Sequence, residues 1–125
     1  MKEQIIAINR ILAGHNHVEL DVFEYKNNRL VIHVGDDLCY SHWLELVFEN
    51  IIYFNISPDW HMESNPPEIK IRAVYPGPEC VYSCVVLGND NFYVTAETLT
   101  YTSGTVFRYK REKLLPGERI DDRVK

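Results

Sequence analysis

The hydrophobic period of the chain changes once, near Gly14, and this change constrains the fold more than any other feature. Before it, in KEQIIAINRILAG, the residues Ile5, Ile8 and Leu12 recur at the spacing of a helix with one apolar face. After it, apolar and polar residues alternate in short runs that are separated by turn residues. The pattern predicts one helix, at about 2-13, followed by strands.

The alternating runs predict about seven strands, and ECVYSCVVL, which is apolar on both faces, should lie at the centre of their sheet. We expect an α+β fold: one N-terminal helix packed on a curved, mainly antiparallel sheet, in a single domain over 1-125. The polar tail, 112-125, is expected to fray. The predicted strands are at about 17-25, 29-35, 42-55, 68-75, 79-87, 92-101 and 105-111.

Each of the first two predicted strands has a row of alternating apolar residues. The two strands must pair so that both rows reach the same face of the sheet. A two-residue loop at Asn27-Asn28 would place the rows on opposite faces. A three-residue loop that also includes Lys26 removes the conflict and places Asp21 opposite His33. We therefore predict the three-residue loop.

The third predicted strand alternates strictly, so that one of its faces should be buried. Its core face would consist of Leu44, Leu46 and Phe48. Its outer face would consist of Trp43, Glu45, Val47 and Glu49. Replacing Phe48 by alanine should therefore cost far more stability than replacing Glu45 by alanine, which should be nearly neutral.

The stretch GHNHVELD contains two histidines and two carboxylates, which are residue types that can hold a divalent metal. On a strand His17, Glu19 and Asp21 share one face, and the predicted pairing adds His33. The spacing matches no strong zinc signature, so we favour a solvated strand face and expect no metal or other cofactor. A metal-dependent hydrolase that uses His17, Asp21 and His33 is the alternative.

Motifs that would indicate an enzyme are missing from the sequence, which has no nucleophile elbow, phosphate-binding loop or dinucleotide-binding turn. Ser41 and His42 are adjacent, but adjacency alone does not make a catalytic triad. We expect a protein that is not an enzyme. A curved sheet or barrel that binds a small molecule is a further alternative, since it needs no catalytic motif.

Charge is distributed unevenly along the chain, whose formal net charge is -5. Between Arg29 and Lys70 there is no lysine or arginine, whereas the segment from Arg108 onward is mainly basic. Aromatic residues within a region of one charge are typical of electrostatically steered protein interfaces, so we expect a protein partner with a basic surface. The predicted partner-binding residues are Asp36, Asp37, Trp43, Glu45, Val47, Glu49, Asp59, Trp60 and Glu63.

Other partners are not expected. Binding to nucleic acid requires a basic face, which only the C-terminal tail offers. The apolar N-terminal stretch is interrupted by polar residues, so it predicts neither a signal peptide nor a membrane span. We therefore expect a cytoplasmic protein that binds neither nucleic acid directly nor a membrane.

The first half of the chain has a particular order: a short helix, the hairpin VELDVFEYKNNRLVIHV, then LELVFENIIYF and a loop with a tryptophan. This order resembles the small acidic immunity proteins of bacterial polymorphic and contact-dependent toxin systems. The resemblance implies a domain of mixed helix and sheet that binds and blocks a cognate toxin, often a nuclease with a basic active-site face. It implies no catalytic residues.

Overall fold

The structure is a computed structural model that describes residues 2–55, 61–64, 69–77, 80–87 and 93–124. Helix α1 spans Lys2–Ala13. The strands are β1 Val18–Lys26, β2 Arg29–Gly35, β3 Ser41–Asn55, β4 His61–Ser64, β5 Ile69–Gly77, β6 Cys80–Leu87, β7 Tyr93–Phe107 and β8 Arg119–Ile120. The predicted α+β class, with an N-terminal helix and a mainly antiparallel sheet, is confirmed.

The strands form one sheet in the order β4-β1-β2-β3-β7-β6-β5, and β8 pairs with β7 in parallel. The described ranges thus contain eight strands, where the sequence predicts about seven. One long strand, β7, contains nearly all of the predicted strand 92-101 and only the first three residues of the predicted strand 105-111. The strands β4 and β8 were missed because four and two residues are too few to show alternation. The predicted curvature stays a prediction.

The first hairpin has the predicted pairing but not the predicted loop. Asp21 lies opposite His33, as expected. The loop contains only Asn27 and Asn28, whose φ angles of 54° and 61° are those of a type I′ turn. A β-bulge at Phe23 supplies the extra residue that brings both apolar rows to one face. The three-residue loop is wrong because the irregularity lies inside β1 instead.

The apolar core lies between α1 and one face of the sheet, and α1 contacts β5 and β7. The helix contributes the buried residues Ile5, Ile8 and Leu12. The sheet contributes Val18, Leu20, Leu30, Ile32, Val34, Leu44, Leu46, Phe48, Val94, Ala96 and Leu99. The predicted core face of β3 is confirmed, because its three residues are completely buried.

The opposite face of the sheet, which we call the outer face, is covered over β2 and β3 by residues 108–124. This segment, the C-terminal arm, contains β8 and ends the described chain. Val31 and His33 of β2 and Val47 of β3 belong to the outer face, yet all three are buried. The predicted frayed tail, 112-125, therefore contains a strand that pairs with the sheet.

Two glycines allow a turn of the C-terminal arm to lie close to β7. The amide of Glu118 donates a hydrogen bond to the carbonyl of Leu115 at 3.0 Å, which closes a turn around Pro116 and Gly117. Gly117 has a φ of +84° there. Its carbonyl oxygen lies 2.6 Å from the position that a Cβ atom on Gly104 would occupy, and the φ of Gly104 is +115°. Neither position suits a residue with a side chain.

We expect Gly104→Ala to lower the free energy of unfolding by roughly 2–4 kcal/mol and Gly117→Ala by roughly 1–2 kcal/mol. Both changes add a methyl group at a positive φ, but only the methyl group on Gly104 would collide with backbone atoms of the arm. Urea denaturation of both variants measures the difference. Equal losses would show that the close approach of the arm to Gly104 contributes nothing to stability.

Candidate functional site

A cleft of about 320 Å³ opens between the outer face of the sheet and the C-terminal arm. Its apolar lining consists of Phe23, Val31 and Val47. The sheet also contributes four polar or charged residues: Glu24, Arg29, His33 and Glu45. The arm contributes four charged residues: Arg119, Asp121, Asp122 and Arg123. The cleft thus combines an apolar strip with ionisable groups from two separate parts of the chain.

His33 is buried beside this cleft, with 2% of its surface exposed. Its ring stacks between the rings of Phe23 and His42, at centroid distances of 4.2 and 3.8 Å. Nη2 of Arg108 donates a hydrogen bond to Nδ1 of His33 at 3.0 Å, so the proton of the neutral ring lies on Nε2. Burial, together with nearby His42 and Arg108, lowers the pKa of His33 to about 3. His33 is therefore neutral near neutral pH.

Glu45 joins two buried histidines to the arm through one oxygen atom. Its Oε1 lies 2.8 Å from Nε2 of His42, 3.2 Å from Nη2 of Arg119 and 3.8 Å from Nε2 of His33. Burial lowers the pKa of His42, and the hydrogen bond to Glu45 opposes this shift. We call His33, His42 and Glu45 the His–Glu cluster. Removing Glu45 would leave His42 without this acceptor, so the near-neutral effect expected for Glu45→Ala does not fit the structure.

The His–Glu cluster offers three possible metal ligands, whose donor atoms lie within 4.8 Å of one another. Within the described residues it is the one group of this kind, and it differs from His17, Asp21 and His33, the set named as the alternative to the expected absence of a metal. The hydrogen bond from Arg108 disfavours a metal, because a metal on Nε2 of His33 would require that bond to break or the ring to become an imidazolate. The donor set therefore fits a metal ion poorly.

Three of the predicted partner-binding residues lie together where β2 ends and β3 begins. Nε1 of Trp43 donates a hydrogen bond to Oδ1 of Asp36 at 3.2 Å, and the Trp43 ring stacks on His15 at 3.7 Å. Nδ1 of His15 lies 3.2 Å from the same Asp36 oxygen. Oδ1 of Asp37 accepts a hydrogen bond from the amide of Cys39 at 3.0 Å. Trp43 is half-buried and also packs against the core cluster, whereas the sequence predicts an exposed anchor on the outer face of β3.

The other predicted partner-binding residues lie elsewhere in the described part of the chain or outside it. Glu45 and Val47 line the cleft, and Glu49 is exposed further along β3. Asp59 and Trp60 lie outside the described residues. Glu63 belongs to β4, where only the backbone is described. Among the six of these residues whose side chains the structure describes, Asp36, Asp37 and Trp43 thus lie apart from Glu45 and Val47 in the cleft and from Glu49.

The arginines of the C-terminal arm are the site residues that the sequence analysis missed. Nη2 of Arg123 lies 2.9 Å and its Nε 3.0 Å from the two carboxylate oxygens of Asp121, and its guanidinium lies 4.7 Å from the centre of the Phe23 ring. This ion pair lowers the pKa of Asp121 and raises that of Arg123. The sequence does contain an indication of this contact. The middle of the chain is acidic and its end is basic, and such opposite charges favour contact within the chain as well as with a partner.

Among the described residues, no helix has the length and hydropathy needed to cross a membrane. No protein-family model, curated protein or solved structure matches the chain. The resemblance to immunity proteins therefore stays a prediction.

Proposed function

We propose that this protein is a non-catalytic binding protein whose partner is a protein with a basic surface. The supporting observation is a group of acidic and aromatic side chains beside the start of β3, of which all but the half-buried Trp43 are exposed. It consists of Asp36, Asp37, Tyr40 and Trp43, which we call the acidic-aromatic surface. The Asp36 side chain is 66% exposed and Tyr40 is 61% exposed. Tyrosine and tryptophan are residue types that often contribute most of the affinity of an interface.

The acidic-aromatic surface is held in place before a partner binds. Asp36 is fixed by Trp43 and His15, as described above. The carbonyl of Asp37 accepts hydrogen bonds from the amides of Tyr40 and Ser41, both at 3.1 Å, so that Tyr40 projects from a closed turn. A surface that is already ordered loses less conformational entropy on binding. This order supports a binding role.

The His–Glu cluster also supports binding over catalysis. A general base at neutral pH needs a pKa near 7, and the pKa of His33 lies far below that value. The oxygen of Glu45 that faces the histidines is already shared with His42 and Arg119. In our proposal the partner is a cognate toxin, as the resemblance to immunity proteins implies, and the protein acts in the cytoplasm, as the absence of a signal-peptide pattern from the N-terminal stretch leads us to expect.

The test is to produce the protein with the toxin candidate encoded beside its gene and to measure association and dissociation rates at several salt concentrations. We expect Asp36→Lys to slow association by about tenfold at low salt, because it reverses a charge that attracts a basic partner. Tyr40→Ala should mainly speed dissociation, because it removes an exposed aromatic contact.

Glu97→Lys is the matched control, since Glu97 is an exposed carboxylate on β7 with the same change of charge. It should slow association much less than Asp36→Lys. Similar association rates for these two variants would contradict the assignment of the acidic-aromatic surface. Failure of the encoded neighbour to bind at all would contradict the proposed toxin partner.

A further inference from the structure

We propose that the cleft beside the His–Glu cluster accepts one basic side chain, an arginine, of the protein partner. This inference rests on the proposed function, because it assumes a partner with a basic surface. It assigns a specific anchor to that partner: a guanidinium that reaches Glu45 while its aliphatic stem lies along the apolar strip of Phe23, Val31 and Val47.

The size and lining of the cleft fit one arginine side chain. Its volume of about 320 Å³ is at the lower end of the range for ligand pockets, which suits a single side chain better than a large ligand. Within the apolar strip Val31 and Val47 are only 5% and 8% exposed, so most of the apolar surface that methylene groups can contact belongs to Phe23, which is 40% exposed. The cleft is open to solvent on the outer face, where a partner can approach.

One carboxylate oxygen of Glu45 is available to a further donor. All of its described contacts, to His33, His42 and Arg119, are made by Oε1, and none is made by Oε2. A guanidinium is a fork of donors that pairs well with carboxylate oxygens. Arg119 already demonstrates that a guanidinium can lie against this carboxylate, and its own side chain is half-exposed. Glu45 is only 21% exposed, so water and salt screen its charge less than that of a surface carboxylate.

The charges around the cleft favour a cation over an anion. Arg119 and Arg123 are paired with Glu45 and Asp121 inside the chain. Arg29 lies directly opposite Glu49 on the neighbouring strand, but no ion pair joins Arg29 to any residue that the structure describes. Two further carboxylates, on Glu24 and Asp122, line the cleft, and neither forms an ion pair with any residue that the structure describes. The three charges of the lining outside these ion pairs, on Arg29, Glu24 and Asp122, thus sum to −1, which favours a cation.

The inference can be tested without the partner, by titrating the isotopically labelled protein with N-acetyl-arginine amide and recording amide NMR spectra. We expect saturable shifts confined to the residues that line the cleft, with an affinity in about the millimolar range. N-acetyl-citrulline amide has nearly the same shape without the charge and should produce no saturable shifts. N-acetyl-aspartate amide, which carries the opposite charge, should also fail to bind.

Two variants at the opening connect the binding to the named carboxylates. Glu24→Gln combined with Asp122→Asn should weaken the binding of N-acetyl-arginine amide severalfold, whereas Glu97→Gln should leave it unchanged. Both replaced residues are exposed, so folding should survive and the spectra confirm it. Binding that is absent, equal for citrulline, stronger for aspartate, or insensitive to the double variant would overturn the inference. Since no partner is used, such a result would leave the charge-reversal test at Asp36 to decide the proposed function separately.

Discussion

Lowering the pH from about 7 to about 4.5 will reduce the free energy of unfolding by about 2.5 kcal/mol through His33 alone. The pKa of His33 is about 3 in the folded protein, against 6.5 for an ordinary histidine. Between these two values the unfolded chain binds the proton and the folded protein does not, so stability falls as the pH falls through this window. Urea denaturation at a series of pH values measures the loss.

His33→Asn is the variant that tests this assignment. Asparagine can still accept the hydrogen bond from Arg108 through its side-chain oxygen, but it does not titrate in this range. The variant will be less stable near pH 7, because the stacking on Phe23 and His42 is lost. Its stability will nevertheless depend less on pH than that of the unchanged protein. The free energy of unfolding is plotted against pH for the variant and for the unchanged protein. If the two plots stay parallel between about pH 6.5 and about pH 4.5, His33 is not the source of the acid sensitivity.

Phe48→Ala will lower the free energy of unfolding by about 3–5 kcal/mol, since it leaves a cavity in the core between α1 and the sheet. The Phe48 side chain is completely buried there. Its neighbour Glu49 is exposed on the other face of β3, and Glu49→Ala should change stability by no more than about 0.5 kcal/mol. The urea midpoints of the two variants give the comparison. Midpoints that coincide would contradict the observed faces of β3.

The elements that could be predicted from the sequence are those with a long, regular period. The helix and the core face of β3 each show several repeats, so the apolar pattern identifies their buried sides. The bulge at Phe23 is different, because a single extra residue changes the pattern no more than a change in loop length would. The sequence could therefore predict which residues pair in the hairpin but not where the irregularity lies.

The candidate site was only partly predictable, because its groups come from distant parts of the chain. His33 was considered together with β1, where it lies opposite Asp21, but its other neighbour is β3, where it lies opposite Glu45. Extending the predicted register to the next strand would have placed these two residues together. Arg119 could not be placed this way, since 74 positions separate it from Glu45 and β8 is too short to be recognised.

The C-terminal arm joins the sheet through a parallel pairing of only two residues with β7, and its ion pair to Glu45 spans most of the chain. Segments held by so few backbone bonds commonly open at a lower free energy than the rest of a domain. The core on the α1 side of the sheet does not depend on the arm for its burial. Opening of the arm would therefore hydrate His33 and raise its pKa while the rest of the molecule stays folded, so acid would favour a partly open state before global unfolding.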